Sequence, residues 1–277
     1  MRTEAEIRKE LDAYAAVSEG PYTDHLTIAG DCMVTSDWHL PGFSALCVDR
    51  MLAVAKRFRI PTLAIVGDFL NMNAFKKFDA YRDEGKTEPE LECARGMLEL
   101  LASQFQRIAW CLGNHEARLL KHLMGRFGWD QIFAMLGVDP KAERRIDCSD
   151  YRYMVLDDEW LLPHPKNYSQ ISSSVARRLA EKFHKHILNT HGHFIGSAFD
   201  RSGKFVVADI GGMFDIQHQD YVMYEITTHP NWNGGFAMIR RGALYLFSMH
   251  PARTDWDFWL KETEPNVKRR SRLTQAT

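Results

Sequence analysis

The sequence predicts an α/β fold in which a parallel sheet with crossover helices precedes the strands of a second sheet. Two observations carry this expectation. From residue 32 to residue 112, short apolar runs alternate with segments of helical periodicity, the pattern of successive strand-helix-strand units. Each run also stops at oxygen or nitrogen donors: Asp37-Trp38-His39, Gly67-Asp68-Phe69-Leu70-Asn71 and Gly113-Asn114-His115-Glu116. In open α/β sheets the carboxyl ends of the strands share one crevice, so residues far apart in sequence converge there.

The elements follow in order. Residues 1–20 read as a polar helix, with Ile7, Leu11, Tyr14 and Val17 at roughly helical spacing, outside the core. Residues 32–36 form an apolar run that delivers Asp37 at a strand end. Residues 44–58 carry Leu46, Met51, Leu52, Val54, Ala55 and Phe58 on an apolar face, and Pro61 separates them from a strand at 63–66. The charged, aromatic stretch near 72–88 is longer than a simple connection needs and reads as a helical cap insertion. A helix at 89–105 and a strand at 107–112 come next, then a helix at 128–138 and paired strands at 152–156 and 159–162, after which stands His164. A helix at 172–183 with a serine cap leads to a strand at 187–190 and the last island, His191-Gly192-His193. Strands at 205–209, 221–226, 236–240 and 244–249, with a turn at Arg241-Gly242, are expected to form a second, mostly antiparallel sheet. A flexible basic tail occupies 265–277.

Composition bounds the answer without choosing a function. Residues 1–277 fit a single large domain with an insertion, with 45% apolar and 26% charged residues in the range of ordinary globular proteins. A net charge of -1 advertises no global attraction to nucleic acid or anionic membrane. Cys32, Cys47, Cys93, Cys111 and Cys148 are widely spaced in apolar runs, which predicts reduced, buried thiols and a cytoplasmic location. The first eleven residues lack the apolar core of a secretory signal, and no stretch approaches the ~20 apolar residues of a membrane span.

The donor types point to metal chemistry. Carboxylates, an amide carbonyl and imidazoles together suit borderline divalent ions such as Mn, Fe, Co, Ni or Zn. If the backbone is extended, Asp37 and His39 at i and i+2 point to one side and can chelate one ion while Trp38 packs away. Asp68 has two oxygens and can bridge two cations. Asn114 offers a neutral carbonyl, His115 beside it stays available for proton transfer, and His164 completes the set. Spacing alone cannot separate His191-Gly192-His193 from His184-Lys185-His186. The latter is expected to end a helix, where the two rings splay apart, whereas Gly192 allows close backbone approach after a strand.

Taken together, the islands resemble the calcineurin-like metallophosphoesterase superfamily, whose signature runs D-x-H, G-D-x-x-[DN], G-N-H-[DE], a lone H and G-H-x-H. The match spans residues 37–193. The resemblance implies a two-sheet β-sandwich flanked by helices, an α/β/β/α arrangement, with the ions on loops at one edge of the sheets. It also implies that Asp37, His39, Asp68 and His193 hold one ion, that Asp68, Asn114, His164 and His191 hold the other, and that His115 is the proton donor. Thr190 replaces the usual Gly before His191, and Pro165 the usual Gly after His164. Asn71 stands where the protein Ser/Thr phosphatase branch has an Asp, and Met72 where it has an Arg, which argues against protein phosphatase activity.

The expected function is hydrolysis of a phosphodiester or phosphomonoester. The cofactors would be two divalent ions, manganese first, with Fe, Zn, Ni, Co or Mg as alternatives. Two cations sharing Asp68 would lower the pKa of a bridging water toward ~7, giving a hydroxide nucleophile, while His115 protonates the departing oxygen. The expected partner is a phosphoester substrate, with no membrane. A DNA nuclease on the same dinuclear site is the alternative, because Phe75, Phe78 and Tyr81 among Lys76, Lys77 and Arg82 could stack bases and meet phosphates. A non-catalytic interaction module is the third reading, against which the complete donor set and His115 argue.

Overall fold

The computed structural model describes residues 2–18, 24–75, 87–122, 128–219 and 232–261. Among these residues, two six-stranded sheets face one another. The first contains β2 (Cys32–Thr35), β3 (Thr62–Val66), β4 (Arg107–Cys111) and β5 (Ile146–Ser149), all parallel, extended beyond β2 by the antiparallel hairpin β11 (Gly235–Arg240) and β12 (Ala243–Ser248). The second runs in the order β1 (Thr27–Ile28), β6 (Tyr153–Leu156), β7 (Trp160–Pro163), β8 (His186–Asn189), β10 (Val206–Ile210) and β9 (Ile195–Phe199).

The period of two along each strand builds the layers. Cys32, Val34, Ala64, Val66, Ala109 and Cys111 face inward and meet Met154, Leu156, Leu162, Leu188, Ala208 and Ile210 of the second sheet. Their neighbours Met33, Leu63, Ile65, Ile108 and Trp110 face outward and are covered by α2 (Ala45–Phe58), α3 (Thr87–Gln104) and α5 (Trp129–Leu136). On the far side, Val155, Leu161, Ile187 and Val207 pack beneath Ala176 and Ala180 of α7 (Ser174–Phe183). Three apolar layers thus separate helices, sheet, sheet and helix, the expected α/β/β/α sandwich. Two short helices, α4 (Glu116–His122) and α6 (Pro140–Glu143), interrupt the connections, and α1 (Glu4–Ser18) stands apart with its described side chains exposed.

Several expectations need correction. Leu46 lies 55% exposed instead of on the apolar face of α2. Ser44 Oγ accepts the Cys47 N–H and starts the helix in a phase that turns Cys47, Val48, Met51, Val54 and Ala55 inward. The serine cap of α7 does not form: Ser173 at the cap makes no side-chain bond to the helix, while the Ser172 hydroxyl and the Ser173 N–H reach the Asp209 carboxylate. The later strands do not make an antiparallel sheet of their own. The hairpin β11–β12 joins the first sheet, β9 and β10 join the second, and the second sheet is mixed. Of the five free cysteines, Cys93 and Cys148 are half-buried.

The expected strand at 221–226 and the tail at 265–277 lie outside the described residues, as do residues 76–86 of the insertion. At its start, Asn73–Phe75 forms one tight helical turn, with Phe75 packed against the core. No helix among the described residues is long and apolar enough to cross a membrane.

Trp110 keys the outer layer, fully buried with its ring 5.1 Å from Phe69 and 4.7 Å from Trp129. Trp110→Ala is expected to lower the free energy of urea unfolding by about 3–5 kcal/mol, the usual range for deleting a buried aromatic. A loss under about 1 kcal/mol would mean that the layer does not depend on this ring.

Candidate metal centre

Five strand ends meet at one edge of the sandwich. The neighbours β2, β3 and β4 bring Asp37 and His39, Asp68, and Asn114 and His115, while β7 and β8 of the facing sheet bring His164, His191 and His193. Pairing continues beyond the strands: the Asp37 N–H donates to Gly67 O at 3.2 Å, the Trp38 and His39 N–H groups to Asp68 O at 2.8 and 3.1 Å, and the Leu40 N–H to Phe69 O at 3.1 Å. Trp38 is buried and turned away against Phe69, as expected.

The route by which Asp37 and His39 come together differs from the expected one. Their backbone is not extended but left-handed, at φ 52° and 48°, and Asp68, His191 and His193 share that region at 50°, 71° and 58°. Side-chain-bearing residues enter it at a cost of roughly 1–2 kcal/mol each, so strain gathers where the donors are. The close approach credited to Gly192 also lies elsewhere. A Cβ on Gly113 would fall 2.1 Å from Asp68 Oδ1, and one on Gly67 would fall 2.7 Å from both Gly113 Cα and the His164 ring. These two glycines let the second and third islands touch.

Asp37, Asp68, His164 and His191 each offer an atom within 4.8 Å of the others, as do Asp37, His39 and His193, and also His39, Asp68 and His115. Both carboxylates thus reach imidazoles on two sides. Asn114 Oδ1 stands 3.0 Å from His164 Nε2. The Nε2 atoms of His39 and His193 approach to 3.4 Å, and His193 Nε2 lies 3.1 Å from Asp37 Oδ1. Lone pairs of nitrogen and oxygen facing one another in a buried space need protons or cations between them, and this mixture of N and O donors suits borderline divalent ions.

Partners behind the donors set their directions. His164 Nδ1 lies 2.9 Å from Val66 O, an acceptor only, so Nδ1 carries a proton and Nε2 is aimed at Asp68 Oδ2, 3.2 Å away. Burial opposes charge on His164, but Asp68 and Asp37 outweigh it and push the imidazole up to about 9. Burial likewise opposes the charge on Asp37 and Asp68, yet the surrounding imidazoles hold both carboxyls below the usual range. Burial pushes His115 and His191 down to about 4. His115 Nδ1 meets Asn71 O at 2.7 Å, so a main-chain carbonyl orients this ring.

Several supporting residues were given no role by the sequence. Glu116, inside the third island, accepts the N–H groups of Asp68, Leu70 and Gly113 with a buried carboxylate. Glu90 of α3 accepts those of Asn71 and Met72. Phe214 and Trp232 pack on His193, with ring centroids 4.6 and 4.4 Å away. In the His184-Lys185-His186 control, His184 ends α7, but His186 begins β8 and its Nδ1 accepts the Val206 N–H. Neither residue belongs to the cluster.

Residues 32–234 match the family model described as calcineurin-like phosphoesterase. Similar solved structures include the phosphoesterase YfcE from E. coli, with 14% identity, a TM-score of 0.41 and coverage of 79% of this chain and 93% of that one. A dimetal phosphatase from Danio rerio shows 12% identity, a TM-score of 0.38 and coverage of 76% and 91%. The nuclease MPE of Pseudomonas putida shows 14% identity, a TM-score of 0.28 and coverage of 77% and 85%. Among curated proteins, none matches the chain.

The Glu90 carboxyl, pushed up by burial from 4.5 to about 7, makes stability depend on pH. Its folded value exceeds its unfolded one, so its contribution is fully present below about 4.5 and is lost as pH rises through about 7. Glu90→Gln, which keeps one acceptor oxygen, is expected to flatten this slope. The variant's unfolding free energy should gain up to about 3 kcal/mol on the wild type between pH 4.5 and 8. Parallel stability profiles for the two proteins would contradict it.

Proposed function

The chain belongs to the calcineurin-like phosphoesterase family, and on that premise we propose that it is a metal-dependent hydrolase of phosphoester bonds. The observation that carries this reading is the convergence of two buried carboxylates, four imidazoles and the Asn114 carbonyl from five separate strand ends. Asp37, His39, Asp68 and His193 would hold one divalent ion, and Asp68, Asn114, His164 and His191 the other, with manganese first among the candidates. When bound, such ions supply an activated water nucleophile and positive charge for the phosphoryl oxygens.

The chain's own residues do the rest. Asp37 and Asp68 stay ionised in the buried centre and so remain ligands across the neutral range. The Glu116 carboxylate keeps the Asp68 and Gly113 backbones in register. Because Asn71 O takes the proton on His115 Nδ1, Nε2 faces the centre, 3.8 Å from Asp68 Oδ2. A phosphoester arriving beside this ring favours the imidazolium, which can give its Nε2 proton to the departing oxygen.

Of the residues expected to meet a nucleic acid, Phe75 is packed against the core, and Phe78, Tyr81, Lys76, Lys77 and Arg82 lie outside the described residues. A non-catalytic module would have no need of a buried donor set at this density.

Turnover of a generic monoester and diester with Mn, Ni, Co, Zn and Mg tests the reading; no turnover with any metal, despite full metal loading, would sink it. His115→Ala is expected to keep its manganese content and lose about 10²–10⁴-fold in kcat on alkyl esters. The loss should be much smaller on activated aryl esters, whose leaving groups need little protonation. Equal losses on both would remove His115 from the role of acid. Asp68→Asn should lose metal content and turnover together, as read by elemental analysis and rate.

A further inference from the structure

His115 has a neighbour that the reaction outlined above does not use. Arg118 of α4 places one guanidinium nitrogen 2.8 Å from His115 Nε2 and donates from another to Asn71 O at 3.1 Å. It is half-buried, three residues beyond His115, and its backbone N–H donates to His115 O at 3.0 Å. The turn of helix that begins at the third island therefore brings a permanent cation to the imidazole atom facing the centre.

We infer that Arg118 contacts the departing half of the substrate and selects phosphoesters whose leaving group carries a second anionic group. This deepens the phosphoesterase reading and rests on it. Nε2 of His115 is the atom assigned to the departing oxygen, so a guanidinium one hydrogen bond away lies on the leaving-group side of the reaction. Arginine only donates, and its planar fork suits a carboxylate or phosphate, so an anionic group attached to the departing fragment is the acceptor that this position fits. Met72 brings no cation from the second island, so among the described residues Arg118 is the arginine in direct contact with the proposed acid.

The test uses the metal-loaded full chain and aryl phosphates whose phenol bears a carboxylate or, as its neutral isostere, a carboxamide. The wild type is expected to favour the carboxylate by about tenfold in kcat/KM, the scale of one charge-assisted hydrogen bond. Arg118→Ala should bring that ratio close to one, whatever it does to overall rate, and Arg118→Lys should retain part of it. Binding of the corresponding non-hydrolysable phosphonates, measured by calorimetry, should show the same ratio without turnover. A third arm with a phosphonate-bearing phenol separates the sources of the anion: a larger preference than for the carboxylate identifies a second phosphate, the reverse a carboxylate. A wild type that cleaves both compounds without preference would overturn the inference alone. So would an Arg118→Ala protein that slows both equally and keeps the ratio, because that is the signature of merely holding His115. Failure of the metal-loaded wild type to cleave either compound and also the generic monoester and diester would overturn the phosphoesterase reading itself.

Discussion

The Glu116 carboxylate is the contact on which the rest of the centre depends. It is buried at the start of α4, and three backbone N–H groups from two different loops converge on it, those of Asp68, Leu70 and Gly113. Those N–H groups point away from any sheet partner, and each left unsatisfied in the interior would cost about 1–3 kcal/mol. Burial and the nearby Asp68 charge push the Glu116 carboxyl up to about 7, and the N–H groups of Leu70 and Gly113 act in the opposite direction, favouring its ionised form. By tying the second island to the third, it fixes where Asp68 stands relative to His115, whose own N–H donates to Asp68 Oδ1 at 2.8 Å.

Around that fastening, the fold concentrates strain and charge in one place and spreads their cost over the sandwich. The left-handed donors are held by parallel pairing that continues past β2 and β3, while Gly67 and Gly113 leave room for the loops to touch. Small inward residues such as Ala64, Ala109 and Ala208 line the layer between the sheets, next to the edge where both sheets contribute donors. On one side of the centre Phe214 and Trp232 pack on His193; on the other stand His115 and Arg118. The two flanks are chemically unlike, one aromatic and one able to move a proton and bind an anion.

The sequence by itself determined the strand-helix-strand order from β2 to β4 and the islands of candidate donors at the strand ends. Apolar runs that end in Asp, Asn or His specify strand tips because a buried strand must stop where a charge begins, and five such tips in order specify a shared crevice. The helix phase of α2 was misread at Leu46 because a cap, rather than apolar content, sets which face turns inward. The mixed second sheet and the strands β5 and β9 were illegible for a related reason: short strands such as Ile195–Phe199, with a half-exposed Gly and an exposed Ser, carry no apolar alternation.

What only the tertiary structure decided is how the donors are aimed. The left-handed turns at Asp37 and His39, the main-chain carbonyls behind His115 and His164, and the Glu116 and Glu90 carboxylates act across as many as 98 positions of sequence. Such contacts depend on backbone groups that every residue possesses. Glu116 was visible as a member of the third island, but which backbone groups it and the other partners meet is settled only when folding brings the loops together.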